Sequence, residues 1–360
     1  MTHLAIVFPG QRYGHEAPLL WYARHALQEV GASVVSVTYD DTTDERRFFA
    51  GVRRDVTAAL ESHRPDRVTF VAKSLGTHAL AEVARAGLAP DASAVWLTPV
   101  WSDDSLRAAI TDDTAIVSVM HANNEIGTVQ PVAELAAIAH ERRALFHTDA
   151  VQSAGKVPID VKGLSADLLT ISAHKFYGPK GVGALWIRRG VRLQPPLTGG
   201  KQERSRRAGT ENVPGIAGMG VAAREAIAKM DAEATRLAAL RDRLEDGILR
   251  SVSGTVLNGV RSPRVPNTTN ISFDRTEAES LLIALDLEGI AVSTGSACSS
   301  GTLEPSHVLK AMGFPPHRTQ NSLRFSLGMA NTDADIERVI AVLPGIVEKL
   351  CSLTRVGARS

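Results

Sequence analysis

Cysteine is scarce in this chain, whose 360 residues include only Cys298 and Cys351. Two cysteines cannot form a framework of several disulfides, and they cannot complete a zinc site by themselves. The simplest interpretation is a protein with at least one free thiol in a reducing compartment, so a cytoplasmic location is expected. The N-terminus has no basic region and no small-residue cleavage site after a long apolar stretch, so no secretory signal is expected.

The sequence has no excess of charge of one sign and no long apolar run. Lys plus Arg number 40 and Asp plus Glu number 39, which gives a formal net charge of +1 at pH 7. Bulk charge therefore gives no reason to expect a nucleic acid or a membrane surface as partner. No uninterrupted apolar run reaches the roughly 18 residues that a membrane-spanning helix needs.

Short apolar runs separated by helix-like stretches are what the sequence has instead. The runs, rich in Val, Ile and Phe, lie at 3–8, 33–38, 67–72, 94–98, 115–119, 144–147, 168–171 and 182–187. Strands that alternate with helices predict an α/β fold, in which helices cover a mostly parallel sheet. Residues 214–250, rich in Ala, Leu, Glu and Arg, predict one long helix or two in sequence. The short strands and helices that follow predict a smaller α+β unit.

Lys175 is the first residue that suggests chemistry, because it directly follows the predicted strand at 168–171. A lysine at a strand end beside hydrogen-bond donors, here Ser172 and His174, can form an imine with an aldehyde cofactor. An isolated lysine in this position is more often simply solvated.

Three further residues fit the same cofactor chemistry. Asp149 ends the strand upstream, and a carboxylate is the partner that keeps a pyridinium nitrogen protonated. Gln152 and Asn124 are neutral donors suited to the phenolic oxygen of such a ring. Each of the three, taken alone, is more often an ordinary loop or capping residue.

Six sequence motifs resemble those of one enzyme family. In chain order they are MHANNEIGTVQP, FHTDAVQSAGKVPID, SAHKFYGPKGVGALW, RRAGTENV, STGSACSSGTLEPSHVL and SLRFSLG. They resemble the NifS/IscS-type cysteine desulfurases of the class V aminotransferase family, over roughly 103–352, about 70% of the chain.

The resemblance implies an enzyme of pyridoxal 5′-phosphate fold type I. Its large domain would be a three-layer α/β/α unit with a mostly parallel sheet. Residues 1–101 would then be an α/β segment atypical of the family, 102–231 the cofactor-binding portion, and 232–360 a small α+β domain with the catalytic-cysteine loop. The family also implies a homodimer that converts L-cysteine to L-alanine. Its persulfide sulfur would pass to an acceptor protein, such as a scaffold for iron–sulfur cluster or thio-cofactor assembly.

The resemblance also implies roles for the residues around the cofactor. Lys175 would hold the cofactor and act as the base that moves protons. Asp149 would pair with the pyridinium, and Gln152 and Asn124 would contact the phenolic oxygen. The phosphate would be bound by the following residues: Ser172, His174 and, from the partner subunit of a dimer, Thr210.

Two further roles concern the substrate. Arg324 would bind the substrate carboxylate, for which a planar, two-pronged guanidinium is well suited. Cys298 would attack the substrate sulfur and carry it as a persulfide. Its neighbours are all small (Ser296, Ala297, Ser299, Ser300 and Gly301), as expected for an accessible, flexible loop. Cys351, near the end of an amphipathic helix, is expected to be a packing residue.

The chain departs from the family in two places. Before RRAGT the family usually has GGGQE, whereas this chain has Lys201 at the third position. The first hundred residues also lack the opening Asp-Asn-Asn-Ala-type strand. They lack the Glu-His-Pro-like motif as well, whose histidine stacks on the cofactor ring. This absence leaves open a chimeric protein with impaired or no desulfurase activity.

Residues 1–101 instead resemble the front half of a small α/β-hydrolase. The segment Ala72-Lys73-Ser74-Leu75-Gly76 is similar to a nucleophile elbow, which suggests a serine hydrolase as an alternative function. Its acid and histidine should follow residue 101, where the desulfurase-like sequence begins, so Ser74 is expected to lack a triad. The same turn is loosely similar to the Ser-Gly-Gly-Thr-Glu-Ala turn of the desulfurases. This makes Thr77 a candidate phosphate ligand at a helix N-terminus.

Overall fold

The structure is a computed structural model that describes residues 2–8, 28, 31–37, 45–73, 83, 88, 93–97, 110, 114–195, 197–295 and 306–357. Ser74, Thr77 and Cys298 lie outside these ranges. Among the described residues, no helix is long and apolar enough to cross a membrane. Within the same ranges, no cluster of His, Cys, Asp and Glu side chains is suited to hold a metal ion.

Eleven strands of the described ranges form three sheets. They are β1 His3–Phe8, β2 Ala32–Ser36, β3 Arg67–Lys73, β4 Ser93–Leu97, β5 Ile116–Met120, β6 Leu145–Asp149, β7 Leu168–Ser172, β8 Gly183–Ile187, β9 Thr255–Leu257, β10 Thr268–Phe273 and β11 Ser322–Ser326. The first sheet, in the order β2-β1-β3-β4, is entirely parallel. The second, β5-β6-β7-β8, is parallel except for the antiparallel edge strand β8. The mostly parallel α/β prediction is thus confirmed.

Helices connect or follow these strands. They are α1 Glu45–His63, α2 Val132–Glu141, α3 Gln202–Ser205, α4 Val213–Ser251, α5 Ala278–Leu287, α6 His307–Ala311, α7 Pro316–Gln320 and α8 Asp333–Gly357. The long helix predicted over 214–250 is confirmed as the 39-residue α4. Its start follows from local chemistry: the Asn212 side chain accepts a hydrogen bond from the Gly215 N–H, and Pro214 lies in the first turn.

The third sheet, in the order β11-β10-β9, is antiparallel and anchors the C-terminal core. Leu244 and Ile248 of α4 pack there with Ile271 of β10 and Leu343 of α8. Cys351 packs against the same cluster, as the sequence predicted. The domain boundary predicted after residue 231 falls inside α4, whose C-terminal half belongs to this core, and the boundaries themselves stay predictions.

A buried ion cluster ties α4 to the loop that precedes β10. The Arg264 side chain, 3% exposed, lies 2.6 Å from Glu245 Oε2 and 2.9 Å from Asp242 Oδ1. The Glu245 side chain is fully buried. Arg264 also forms a backbone bridge with Thr128, so the cluster holds the C-terminal core against the segment that follows β5.

We expect Arg264→Met to lower the free energy of unfolding by about 3 kcal/mol, since the buried Glu245 then keeps only the more exposed Arg261, 3.0 Å from its Oε1, as an ionic partner. Urea denaturation would measure this loss. The matched control is Arg243→Met, which removes a half-exposed guanidinium 2.7 Å from Asp333. An exposed pair is worth at most about 1 kcal/mol, so equal losses in the two variants would contradict the importance of the buried cluster.

Candidate active site

The C-terminal ends of β6 and β7 bring two predicted site residues to one edge of the second sheet. Asp149 is the last residue of β6 and pairs in register with Met120 of β5 and Thr170 of β7. Lys175 lies in a single 3-10 turn, Ala173–Phe176, that directly follows β7. Because the carboxyl ends of parallel strands lie at the same edge of a sheet, Asp149 and Lys175 lie at one edge of the second sheet.

Asp149 is held by its own turn. The Val151 N–H donates to Asp149 Oδ1 at 2.8 Å, which fixes the carboxylate at the strand end. His147, two residues earlier on the same face of β6, lies 2.6 Å from Ser118 Oγ through its Nδ1. Burial lowers the pKa of His147, and the charge of Asp149 only partly opposes this. His147 is therefore mainly neutral, and it lies two positions before Asp149, whose carboxylate is held by the turn.

The turn after β7 gathers the predicted phosphate ligands beside the lysine. Ser172 Oγ lies 2.8 Å from Nδ1 of His174, and the histidine is exposed. Tyr177 ends the turn in the left-handed region, with φ of 65°. A hydroxyl, an imidazole and an amine are thus presented within four consecutive residues.

Asn124 lies in a turn that follows β5. The Asn123 side chain accepts hydrogen bonds from the backbone N–H groups of Glu125 (2.8 Å) and Ile126 (3.1 Å), the usual geometry of an Asx turn. The carbonyl of Asn124 accepts a hydrogen bond from Nη1 of Arg324 at 3.1 Å. Through this contact, the arginine of β11 reaches the segment that carries Asn124.

The third sheet positions Arg324. It pairs with Asn270 of β10 and forms an isolated backbone bridge with Ser293. These backbone bonds fix the main chain of Arg324, from which the guanidinium reaches the Asn124 carbonyl. The structure therefore brings together the predicted carboxylate-binding residue and one predicted contact of the cofactor ring.

Glu125 is a site residue that the sequence analysis missed. It is fully buried and accepts a hydrogen bond from Ser306 Oγ, and His307 Nδ1 lies 3.9 Å from its Oε1. Burial raises the pKa of this carboxyl, although Ser306 and the charge of Arg324 act in the opposite direction. Its place directly after Asn124 in the first motif was the available signal. Its partners Ser306 and His307 come from a distant segment of the chain, and no local sequence pattern indicates such a contact.

Replacement of Glu125 with glutamine is expected to change how stability depends on pH. Because burial raises the pKa above its ordinary value of 4.5, the folded chain keeps a proton that the unfolded chain has released. The wild type therefore loses stability as pH rises from about 4.5 through the folded-state pKa, and glutamine, which cannot titrate, does not. Urea denaturation across this range should show that the free energy of unfolding of the variant increases, relative to that of the wild type, as pH rises. A difference that stays constant with pH would contradict the raised pKa.

Among the described residues, Gln152 lies in the turn that follows β6, and Lys201 and Thr210 lie in the stretch before α4. Thr210 is exposed in the loop between α3 and α4, and within the described ranges it makes no hydrogen bond to the other predicted site residues. Lys201 is exposed at the start of α3. Cys298 and Thr77 lie outside the described residues, as does Ser74.

The donor set fits pyridoxal phosphate. An amine that can react with an aldehyde, a carboxylate for a pyridinium, and hydroxyl and imidazole groups for a phosphate lie at one sheet edge. The Lys175 residue is only partly buried, which leaves the amine within reach of a ligand.

Comparisons with known proteins agree with this chemistry. The aminotransferase class-V family model matches residues 97–339. A cysteine desulfurase of Gluconacetobacter diazotrophicus is 54% identical over 247 residues, 69% of this chain and 62% of that protein. A cysteine desulfurase IscS of Methanosarcina thermophila is 54% identical over 253 residues, 70% of this chain and 62% of its own length. A solved NifS-like protein is 32% identical with a TM-score of 0.66, covering 83% of this chain and 79% of that chain.

The chain spans about three-fifths of the length of the curated relatives it matches. None of them supports the hydrolase interpretation of residues 1–101. Members of the matched family depend on pyridoxal phosphate in general, in agreement with the donor set above. The chain belongs to the aminotransferase class-V family, and its sequence is of the NifS/IscS cysteine desulfurase type.

Proposed function

We propose that the chain is a pyridoxal-phosphate-dependent cysteine desulfurase, which converts L-cysteine to L-alanine and leaves the sulfur as a persulfide on Cys298. The observation that carries the proposal is the position of Asp149 at the end of β6 and of Lys175 in the turn that directly follows the neighbouring parallel strand β7. The identity of 54% to relatives named cysteine desulfurase supports the choice of reaction within the family.

The residues at the sheet edge would bind and orient the cofactor. Bound pyridoxal phosphate supplies an electron-withdrawing ring that stabilises negative charge on the substrate carbon. Asp149 would keep the ring nitrogen protonated, while Gln152 and Asn124 would contact the phenolic oxygen. Lys175 would hold the cofactor covalently and, once free, move a proton at the substrate carbon.

Phosphate binding would use more than one segment. Ser172 and His174 lie in the turn beside Lys175 and present a hydroxyl and an imidazole to an anion. Thr210 of the partner subunit would add a hydroxyl, as its exposed position in a single chain allows. Thr77 remains a further candidate, on sequence similarity alone.

Arg324 and Cys298 would act on the substrate. The guanidinium, already held against the Asn124 carbonyl, would bind the carboxylate of cysteine. The Cys298 thiolate would attack the substrate sulfur, so that a sulfur–sulfur bond forms as the carbon–sulfur bond breaks. The electron pair of the broken bond returns to the carbon, which takes up a proton and yields alanine.

A homodimer is part of the proposal. Large apolar side chains are exposed on neighbouring elements of the second sheet and of the N-terminal half of α4; they are Tyr177, Leu185, Ile216, Val221 and Ile227. Large apolar side chains left exposed in a single chain are often covered by a second subunit. A cytoplasmic sulfur-acceptor protein completes the proposed function, since a protein-bound persulfide needs a recipient.

A visible spectrum of the purified chain with added cofactor tests the function. We expect an absorption band at about 400 nm, which changes when cysteine is added while alanine accumulates. Protein that stays colourless with added cofactor would contradict the proposal. Coloured protein that forms no alanine would instead favour a chimeric protein that lacks desulfurase activity because the N-terminal family motifs are missing.

A further inference from the structure

Lys156 links the two segments that would bind the cofactor ring. Its Nζ donates to the carbonyl of Gln152 at 3.0 Å and to the carbonyl of Lys175 at 3.3 Å. One carbonyl belongs to the turn after β6 and the other to the 3-10 turn after β7. A single ammonium therefore joins the backbones of two residues whose side chains would contact the same ring.

The two turns are closely packed at this point. Gly155 has φ of +72°, and a Cβ there would lie 3.1 Å from Cβ of Phe176 and 3.1 Å from Cβ of Ala226. A side chain at residue 155 would push the turn after β6 away from the turn that carries Lys175. The glycine thus permits the close approach that Lys156 then bridges.

An ammonium is a costly group to place there. Burial, and secondly the charge of Lys175, lower the pKa of Lys156 to about 8. No carboxylate of the described ranges forms an ion pair with its Nζ, and the hydrogen bonds described for it go to the two carbonyls. A side chain that served only for packing could be apolar at lower cost, for example methionine, which is unbranched and of similar length.

We infer that Lys156 is a positioning residue, which fixes the separation of Lys175 and Gln152 so that the amine meets the cofactor aldehyde. The inference rests on the proposed function. Lys156 itself would not touch the cofactor, since its Nζ is directed at backbone carbonyls. Its loss should affect covalent attachment of the cofactor more than simple binding of the phosphorylated ring.

The test compares two probes on the cofactor-free full chain. Pyridoxal 5′-phosphate carries the aldehyde, whereas pyridoxine 5′-phosphate has an alcohol in its place and cannot react with an amine. We expect Lys156→Met to weaken binding of the aldehyde compound about tenfold, which is the effect of one lost charge-assisted hydrogen bond. Binding of the alcohol compound should weaken by less than about threefold. Absorbance titration measures the first affinity, and quenching of tryptophan fluorescence measures the second.

A matched control and a second variant keep the outcome decisive. Lys162→Met, an exposed lysine on the same connection between β6 and β7, should leave both affinities unchanged. If Lys156→Met does not fold, Lys156→Gln replaces it, because glutamine is one bond shorter and cannot bridge both carbonyls. An unchanged ratio of the two affinities in the folded variant overturns the inference. Failure of the wild-type chain to bind the aldehyde compound covalently overturns the proposed function instead, so the two failures can be told apart.

Discussion

Replacement of Lys175 with alanine is expected to lower the rate of alanine formation from cysteine by about a thousandfold or more. The amine would both hold the cofactor and move the proton, and general acid–base catalysis alone contributes about 10²–10⁴-fold. Lys156 cannot take over these tasks in its present position, because its Nζ donates to the Gln152 and Lys175 carbonyls. The measurement is alanine release by the purified variant with saturating cofactor and cysteine.

Lys180→Ala is the matched control, since this lysine is exposed five residues further along the same loop. It should turn over cysteine at the wild-type rate. Retention of activity by the Lys175 variant, with loss in the Lys180 variant, would show that the cofactor lysine has been assigned to the wrong residue.

Replacement of Cys298 with serine is expected to lower sulfide release about a thousandfold while the protein stays coloured. A serine hydroxyl is a far weaker nucleophile than a thiolate, and it cannot hold a transferable sulfur as a persulfide. Cofactor binding should persist because no cofactor contact is assigned to Cys298. The two measurements are sulfide released in the presence of a reductant and the visible spectrum of the same sample.

Cys351→Ser provides the control for thiol chemistry. Its Sγ lies 3.3 Å from Thr276 Oγ1, and the residue packs against the C-terminal core. We expect this variant to release sulfide at the wild-type rate. Sulfide release from the Cys298 variant at an undiminished rate would refute the proposed role of that residue.

The parts of the fold that follow from local patterns could be predicted from the sequence. The apolar run at 168–171 became β7, and the Ala- and Leu-rich stretch 214–250 became α4, because strand and helix periods are local properties. The same reasoning placed Asp149 at the end of one predicted strand and Lys175 directly after another. In the structure β6 and β7 are parallel neighbours, so the two residues lie at the same edge of the sheet.

Contacts between distant segments could not be predicted in this way. Glu125 meets Ser306 across 181 positions, and Lys156 reaches the Lys175 carbonyl across 19. Both residues stand in motifs that pointed to the family, but nothing in a motif indicates that Glu125 lies beside Ser306 and His307, or that Lys156 bridges two backbone carbonyls. Burial, complete for Glu125 and partial for Lys156, is what identifies these two titratable groups, and burial is a property of the folded chain.

The first hundred residues show a different limit of sequence reasoning. The parallel β2-β1-β3-β4 sheet agrees with the predicted strands, but this order is shared by many doubly wound α/β proteins. The fold of this segment therefore says little about its chemistry. The resemblance of its turn to a nucleophile elbow finds no support among the relatives, and the family model matches the chain only from residue 97 onward.

Reduction of the cofactor-bound chain with borohydride, followed by peptide mapping, tests the central claim most directly. The reagent fixes the cofactor to whichever amine holds it. We expect the added pyridoxyl group on Lys175 alone, within the peptide that contains Ser172 and His174. A pyridoxyl group on Lys156, on Lys180 or on no lysine at all would contradict the assignment on which the proposed function rests.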